Sequence, residues 1–409
     1  MNILFLTIGN LEDISAKEIY PDLLRALHRQ GHEIYAVCSR ERRYGKETEL
    51  TQEEGIHVLR VKTGNITQTS LLEKGISTVT VQMLYRRAIA AYLKNIRFDL
   101  ILYSTPPITI APLVGSLRKK HGARTYLMLK DIFPQNAVDT GVIGKHGPLF
   151  FYFRKKEKKL YSNSDDIGCM SPANCEYLLA HNPQIPKERV GLCPNCLEVL
   201  PRPCFEKSRV REEFGIPQDK LVLLYGGNLG IPQGVDFMLS CISALKNRKE
   251  VLFVIAGSGT QYARVEEYIK TQDCSNAVLM KKLNTGAYNR LVSGCDAGLI
   301  FLDHRFTIPN FPSRLLSYLQ AGLPVLAATD TVTDIQDAIR DGNFGWWCES
   351  SDVSRFCEIV DTMREHRKDL AEMGENGRRY FEEHYSVEIC CRSILDAAAQ
   401  TDAMEKLKK

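Results

Sequence analysis

An alternation that runs through the chain twice limits the fold more than any other feature. Residues 2–8 are an apolar run of strand length. Residues 16–30 carry Ile19, Leu23, Leu24 and Leu27 on one helical face, Gly31 closes that segment, and residues 32–38 are apolar again. This is a strand–helix–strand unit, and its repetition predicts a parallel sheet covered by helices. Further strands are predicted over 56–61, 100–104, 124–129, 167–170 and 190–193, with helices over 68–95 and 114–121. Pro201-Arg202-Pro203, stiff and polar, breaks the pattern. A short helix over 209–214 follows, and then a second series of strands at 221–225, 252–256, 277–281, 298–301, 325–328 and 344–347. Helices over 353–365, 367–384 and 387–399 end the chain, with a frayed tail at 406–409.

The predicted fold class is therefore α/β, with two facing Rossmann-like domains, parallel sheets and a deep interdomain cleft. The expected boundaries are 1–198, 199–385 and a C-terminal helix and tail, 386–409, crossing back to the N-terminal domain. Ligands of such sheets bind beyond the carboxyl ends of the strands.

Composition narrows the class. A chain of 409 residues has room for two or three domains, and a net charge of +4 does not indicate a nucleic-acid partner. No run of about 18 apolar residues is present, so no membrane-spanning helix is expected. The N-terminus reads as a strand, not a signal peptide. The 13 cysteines are scattered, which fits reduced thiols and a cytoplasmic location. Cys193-Pro194-Asn195-Cys196 is the one C-x-x-C, either a redox pair or half of a metal site. No second cysteine pair or histidine pair supports a metal, and none is expected.

Residues 310–326, NFPSRLLSYLQAGLPVL, read as loop, short helix and strand. Ser313 is placed to cap the helix and Arg314 opens it. Free backbone N–H groups, the positive helix end and a fixed guanidinium together suit a diphosphate; an ordinary cap with a surface arginine reads the same way. Gly226-Gly227-Asn228-Leu229-Gly230 follows one strand and Ala256-Gly257-Ser258-Gly259 follows another. Each is a tight turn or a close approach of backbone to phosphate, and two in one domain favour the second. Lys281, with Lys282, ends a third strand, as a phosphate or base-edge ligand or as a solvated pair. Asp131 ends the 124–129 strand and is placed to orient an acceptor hydroxyl or to stabilise the turn before Pro134. Residues 148–160 join aromatics to lysines, with Phe151, Phe153, Lys155 and Lys156 as candidate contacts to an anionic membrane surface; a core helix with a solvated face is the alternative.

These residues resemble the family 4 glycosyltransferases, the retaining GT-B group, most closely those of bacterial surface-polysaccharide synthesis. The resemblance rests on residues 225–230, 254–259 and 295–299, above all on 310–326, and more loosely on Lys130-Asp131-Ile132-Phe133-Pro134 and Pro194-Asn195. It implies metal-independent transfer of a sugar from a nucleotide diphosphate sugar, with a UDP-sugar favoured, to a lipid-diphosphate-linked or oligosaccharide acceptor. In that reading Gly227, Asn228 and Gly230 lie near the donor phosphates, and Gly257 and Gly259 line the donor pocket. Ser313 and Arg314 clamp the diphosphate, Arg314 and Asp131 serve catalysis, and the enzyme works peripherally on the inner face of the plasma membrane. The family's paired glutamates fall here on Pro309 and Ser317. Ser317 is then a weaker ribose ligand, with Asn310 able to meet the sugar and Arg305 to add a second cation. A sugar-nucleotide 2-epimerase and a non-catalytic sugar-nucleotide-binding subunit are the alternatives.

Overall fold

The structure is a computed structural model that describes residues 1–67, 69–202 and 205–407, the side chains of 71, 72 and 400–407 excepted. The chain forms two compact units, Met1–Glu198 together with the chain from Tyr385 onward, and Val199–His384. Of the expected features, Pro203 in the break, Gln68 at the start of a helix, and Lys408 and Lys409 in the tail lie outside the described residues.

The first unit is built on strands β1 (Asn2–Leu6), β2 (Glu33–Glu41), β3 (Glu49–Glu53), β4 (Ile56–Thr63), β5 (Leu100–Ser104), β6 (Arg124–Leu129), β7 (Asp166–Cys169) and β8 (Val190–Leu192). They lie in the order β3-β4-β2-β1-β5-β6-β7-β8. All neighbours are parallel except β3, which pairs antiparallel with β4. The hairpin turn uses Glu54 at φ 47 and Gly55 at φ 80, the left-handed pair that matches strand twist. β3 is absent from the sequence reading because Glu-Leu-Thr-Gln-Glu carries a single apolar residue and lies at a sheet edge. Arg60 on β4 ties the chain after β1 in place, bonding the carbonyls of Leu11 and Glu12 as well as Glu53.

The C-terminal helix, Val387–Leu407, packs on this unit. Val387, Cys390, Cys391 and Ile394 sit fully buried in one core with Ile3, Phe5, Leu24, Leu27, Leu102 and Met128. Each such aliphatic side chain is worth about 2 kcal/mol of burial. Cys193 and Cys196 lie in the same core as free thiols. No group of three metal-ligating side chains occurs among the described residues.

The second unit is a sheet of β9 (Leu221–Asn228), β10 (Val251–Ser258), β11 (Ala277–Lys281), β12 (Ala297–Phe301), β13 (Val325–Thr329) and β14 (Gly345–Glu349). Their order is β11-β10-β9-β12-β13-β14, and every pair is parallel. Leu223, Tyr225, Phe253, Ile255, Phe301 and Phe356 form its core on one face. Two sheets with crossover helices, parallel but for β3 at one edge, are the α/β architecture that the alternation predicts. No helix among the described residues is long and apolar enough to cross a membrane.

Candidate active site

In the second unit, strand register gathers the residues singled out from sequence. Gly227 on β9 stands opposite Gly257 on β10, and Gly257 opposite Lys281 on β11. Asn228 and Ser258 are the next pair toward the carboxyl ends. Gly227 has φ 125, a backbone that side chains rarely adopt. A Cβ on Gly257 would lie 2.0 Å from the Gly227 carbonyl oxygen, so this row of bare backbone depends on both glycines.

Arg314 opens the helix Arg314–Ala321. Its guanidinium carbon is 4.2 Å from the centroid of the Tyr225 ring. A Cβ built on Gly227 would lie 3.7 Å from its Nη2, which places the cation beside the glycine row. The residue is half-buried, yet its Nη1 is shut off from solvent and has no hydrogen-bond partner. A charged donor in that state costs several kcal/mol or takes an anion.

Four residues that the sequence reading passed over hold this arrangement. The Tyr225 hydroxyl donates to the Asn228 carbonyl at 2.6 Å, and burial pushes its phenol up, which keeps the donor proton in place. The Tyr318 hydroxyl donates to the Leu224 carbonyl at 3.0 Å and accepts from the Gly226 N–H at 3.0 Å. Tyr288 packs against Gly226, where a Cβ would come within 1.9 Å of its hydroxyl. The Gln233 carboxamide oxygen accepts from Asn228 Nδ2 at 2.9 Å and from the Gly230 N–H at 3.1 Å. Two of these were within reach of sequence. Tyr318 follows Arg314 by one helical turn, and Tyr225 directly precedes the glycines.

Other candidates are placed differently from expectation. Ser313 does not cap: its backbone is already helical and its side chain makes no cap hydrogen bond, and the N–H groups of Leu315 and Leu316 bond the Pro312 and Ser313 carbonyls instead. Arg305 is no second free cation, because Nε and Nη2 grip the two oxygens of Asp303 at 2.9 and 2.7 Å. The Gly230 N–H is taken by Gln233, leaving that glycine to shape the turn. Ser317 donates its hydroxyl to the Arg314 carbonyl at 2.9 Å. Asn310 is held through its backbone, whose N–H and carbonyl both bond the Thr333 hydroxyl. Thr333 is in turn capped by Asp330, a buried carboxyl pushed up to about 6 by burial. Gly259 packs against the Leu229 carbonyl, joining the two glycine turns. Lys281 is exposed at its strand end.

In the first unit Asp131 follows β6, at the carboxyl end of the sheet. Burial pushes its carboxyl up to about 6, against the lowering effect of hydrogen bonds from Asn136 and the Ile132 N–H and of the nearby charge of Lys74. Asn136 Nδ2 donates to Asp131 Oδ1 at 2.6 Å, and the Thr105 hydroxyl accepts from the Asp131 N–H at 3.1 Å. A carboxyl so held can accept a proton near neutrality.

The basic aromatic stretch is the helix Pro148–Ser162. Leu149, Phe151 and Tyr152 are exposed, Phe151 at 60%, and Lys155 is exposed beside them. Phe153 is not an outward contact: it is half-buried and meets the Phe133 ring edge-on at 5.0 Å. Lys156 is half-buried, its ammonium 5.3 Å from the Tyr152 ring. A second exposed apolar stripe, Ile76, Val79 and Met83, runs along the helix Leu71–Tyr92 of the same unit.

A glycine-lined row at parallel strand ends, with a half-buried arginine whose Nη1 has no partner beside it, is an arrangement suited to an anionic ligand on a two-unit α/β fold. Residues 206–380 match the family described as Glycosyl transferases group 1, and residues 21–199 match Glycosyltransferase Family 4. The chain belongs to the family 4 glycosyltransferases, and it is a transferase enzyme of GT-B fold. It is 25% identical over 341 residues to "Probable glycosyltransferase WbjE" of Pseudomonas aeruginosa, covering 80% of this chain and 82% of that protein. Among solved structures it resembles HepE of Anabaena in complex with UDP-glucose (TM-score 0.70, 13% identity, 98% of this chain and 100% of that one). It also resembles WaaG, a glycosyltransferase involved in lipopolysaccharide biosynthesis (TM-score 0.67, 14% identity, 96% of this chain and 99% of that one).

Proposed function

We propose that this glycosyltransferase moves a sugar, with retention at the anomeric carbon, from a nucleoside diphosphate sugar to a lipid-diphosphate-linked or oligosaccharide acceptor in bacterial surface-polysaccharide synthesis. A UDP-sugar is the favoured donor. The observation that carries this reading is the unpartnered Nη1 of Arg314 beside the backbone row of Gly227 and Gly257. The likeness to HepE with UDP-glucose and to WaaG supports the donor class and the pathway.

Breaking the glycosidic bond leaves a diphosphate with growing negative charge. Arg314 meets that charge without a metal, and it does so most strongly as the charge develops. The departing phosphate oxygen takes the acceptor proton on the same face, so no strong base is required. Asp131 then orients the acceptor hydroxyl. The exposed apolar and basic residues of the first unit suit work at the cytoplasmic leaflet of an anionic membrane.

The test is a thermal-shift panel of nucleotide sugars, followed by product analysis by NMR with a lipid-diphosphate glycan acceptor, with and without a chelator. A retained anomeric configuration and chelator-insensitive turnover support the reading. Conversion of the donor alone to its epimer, or donor binding without transfer or hydrolysis, overturns it.

A further inference from the structure

We propose that Tyr225 is the positioning residue of the donor site: its ring face carries the Arg314 guanidinium while its hydroxyl holds the glycine loop at Asn228, so one side chain sets the spacing between the cation and the loop. The inference rests on the donor-site reading above. The Arg314 Nη1 has no hydrogen-bond partner, whereas a carboxylate partner would neutralise the charge a diphosphate needs. An aromatic face does otherwise. It attracts the guanidinium through its quadrupole and fixes its plane, yet leaves the N–H fork and the full charge for a ligand. The 4.2 Å approach of Arg314 to the ring centroid and the 2.6 Å bond from the hydroxyl to the Asn228 carbonyl come from the same residue.

Tyr225 is itself held. Its backbone stands opposite Ile255 on β10, and its ring lies 5.9 Å from Phe301 in the core. The next two residues along β9 are Gly226, whose N–H is fixed by the Tyr318 hydroxyl, and Gly227 of the glycine row. The platform is thus continuous with the rigid sheet, and neither function needs the chain to move.

The full-length protein and its Tyr225→Phe, Tyr225→Leu, Arg314→Ala and Tyr225→Leu/Arg314→Ala variants are compared by calorimetric titration with the tightest binder among UDP, GDP, ADP and dTDP, and with the matching monophosphate. Melting curves confirm folding. Tyr225→Leu is expected to weaken diphosphate binding about tenfold and monophosphate binding much less. Tyr225→Phe, which keeps the ring, is expected to stay within about threefold of wild type. In the Arg314→Ala background the leucine change is expected to add no more than the roughly threefold loss from the missing hydroxyl. Full affinity in a folded Tyr225→Leu variant, or an equal loss with and without Arg314, overturns the positioning role while leaving the donor site intact. Failure of Arg314→Ala to weaken binding, or no diphosphate binding by wild type, overturns both. If Tyr225→Leu does not fold, Tyr225→Phe and Tyr225→His are titrated instead, and unchanged diphosphate preference in the histidine variant overturns the proposal.

Discussion

The guanidinium of Arg314 lies over the face of Tyr225, 4.2 Å from carbon to ring centroid, and not beside a carboxylate. Its charge is therefore unspent before any ligand arrives. A lysine keeps the charge but loses the planar fork and the stacking. Arg314→Lys is expected to lower kcat/KM by about 10²–10³-fold with little change in melting temperature, read by steady-state kinetics. An Arg314→Lys variant with near-native kinetics would show that position and planarity do not matter here.

Asp131 gives a prediction in pH. Its folded carboxyl lies at about 6, above its ordinary value, because burial disfavours the charge. The folded chain thus holds this proton more tightly than the unfolded chain. The group's contribution to stability is fully present below about pH 4 and is lost as pH rises through 6. Asp131→Asn is expected to match wild type near pH 4 and to exceed it by about 1 kcal/mol at pH 7, a modest figure because the residue is only partly buried. Asp330, also raised to about 6, keeps its own share of the slope in the variant. Turnover behaves oppositely: the variant is expected to lose about 10²-fold in kcat and the rising limb near pH 6. Denaturation at both pH values and a pH–rate profile check the two signs separately.

Gly257→Ala places a methyl group 2.0 Å from the Gly227 carbonyl oxygen, and backbone cannot yield as a side chain can. A loss of about 1–3 kcal/mol is expected, together with weaker nucleotide binding. Gly286→Ala is the control, since its nearest neighbour is 3.6 Å away in a helix. That change is expected to raise stability by about 0.5 kcal/mol. Chemical denaturation of both variants reads the contrast.

On the first unit, exposure separates membrane contact from core. Reversing Lys155 and Lys156 to Glu is expected to reduce flotation with phosphatidylglycerol vesicles at low salt by at least about tenfold. Phe151→Ser and Met83→Ser should reduce flotation without lowering the melting temperature. Phe153→Ser should do the reverse, since Phe153 packs on Phe133. Wild-type protein that stays with the unbound fraction at low salt would end the proposal.

Sequence made the architecture legible because the information was periodic. Apolar runs separated by amphipathic stretches can be buried on both faces in few ways. It also brought out the glycine turns and Arg314, whose chemistry is local. What escaped it depends on distance in space. Tyr288 reaches Gly226 from a helix that begins nearly sixty residues later, and no spacing in the chain announces the contact. Ser313 suits a cap by residue type, yet its backbone is already helical. The charge of Arg305 is free by sequence, but in the fold it pairs with Asp303 two residues earlier. Polar β3 carried too little hydrophobic signal to be recognised as a strand.

The chain leaves the first unit and returns to it at one seam. The Leu197 N–H bonds the Tyr385 carbonyl at 3.1 Å, and the Val387 N–H bonds the Leu197 carbonyl at 3.0 Å. A nonsense codon a little before Tyr385 would therefore spare every strand of the second sheet and remove Val387, Cys390, Cys391 and Ile394 from the core of the first unit. Conversely, the stretch Val199–His384 begins and ends beside a single stitch, which makes it the natural cassette for exchange between relatives.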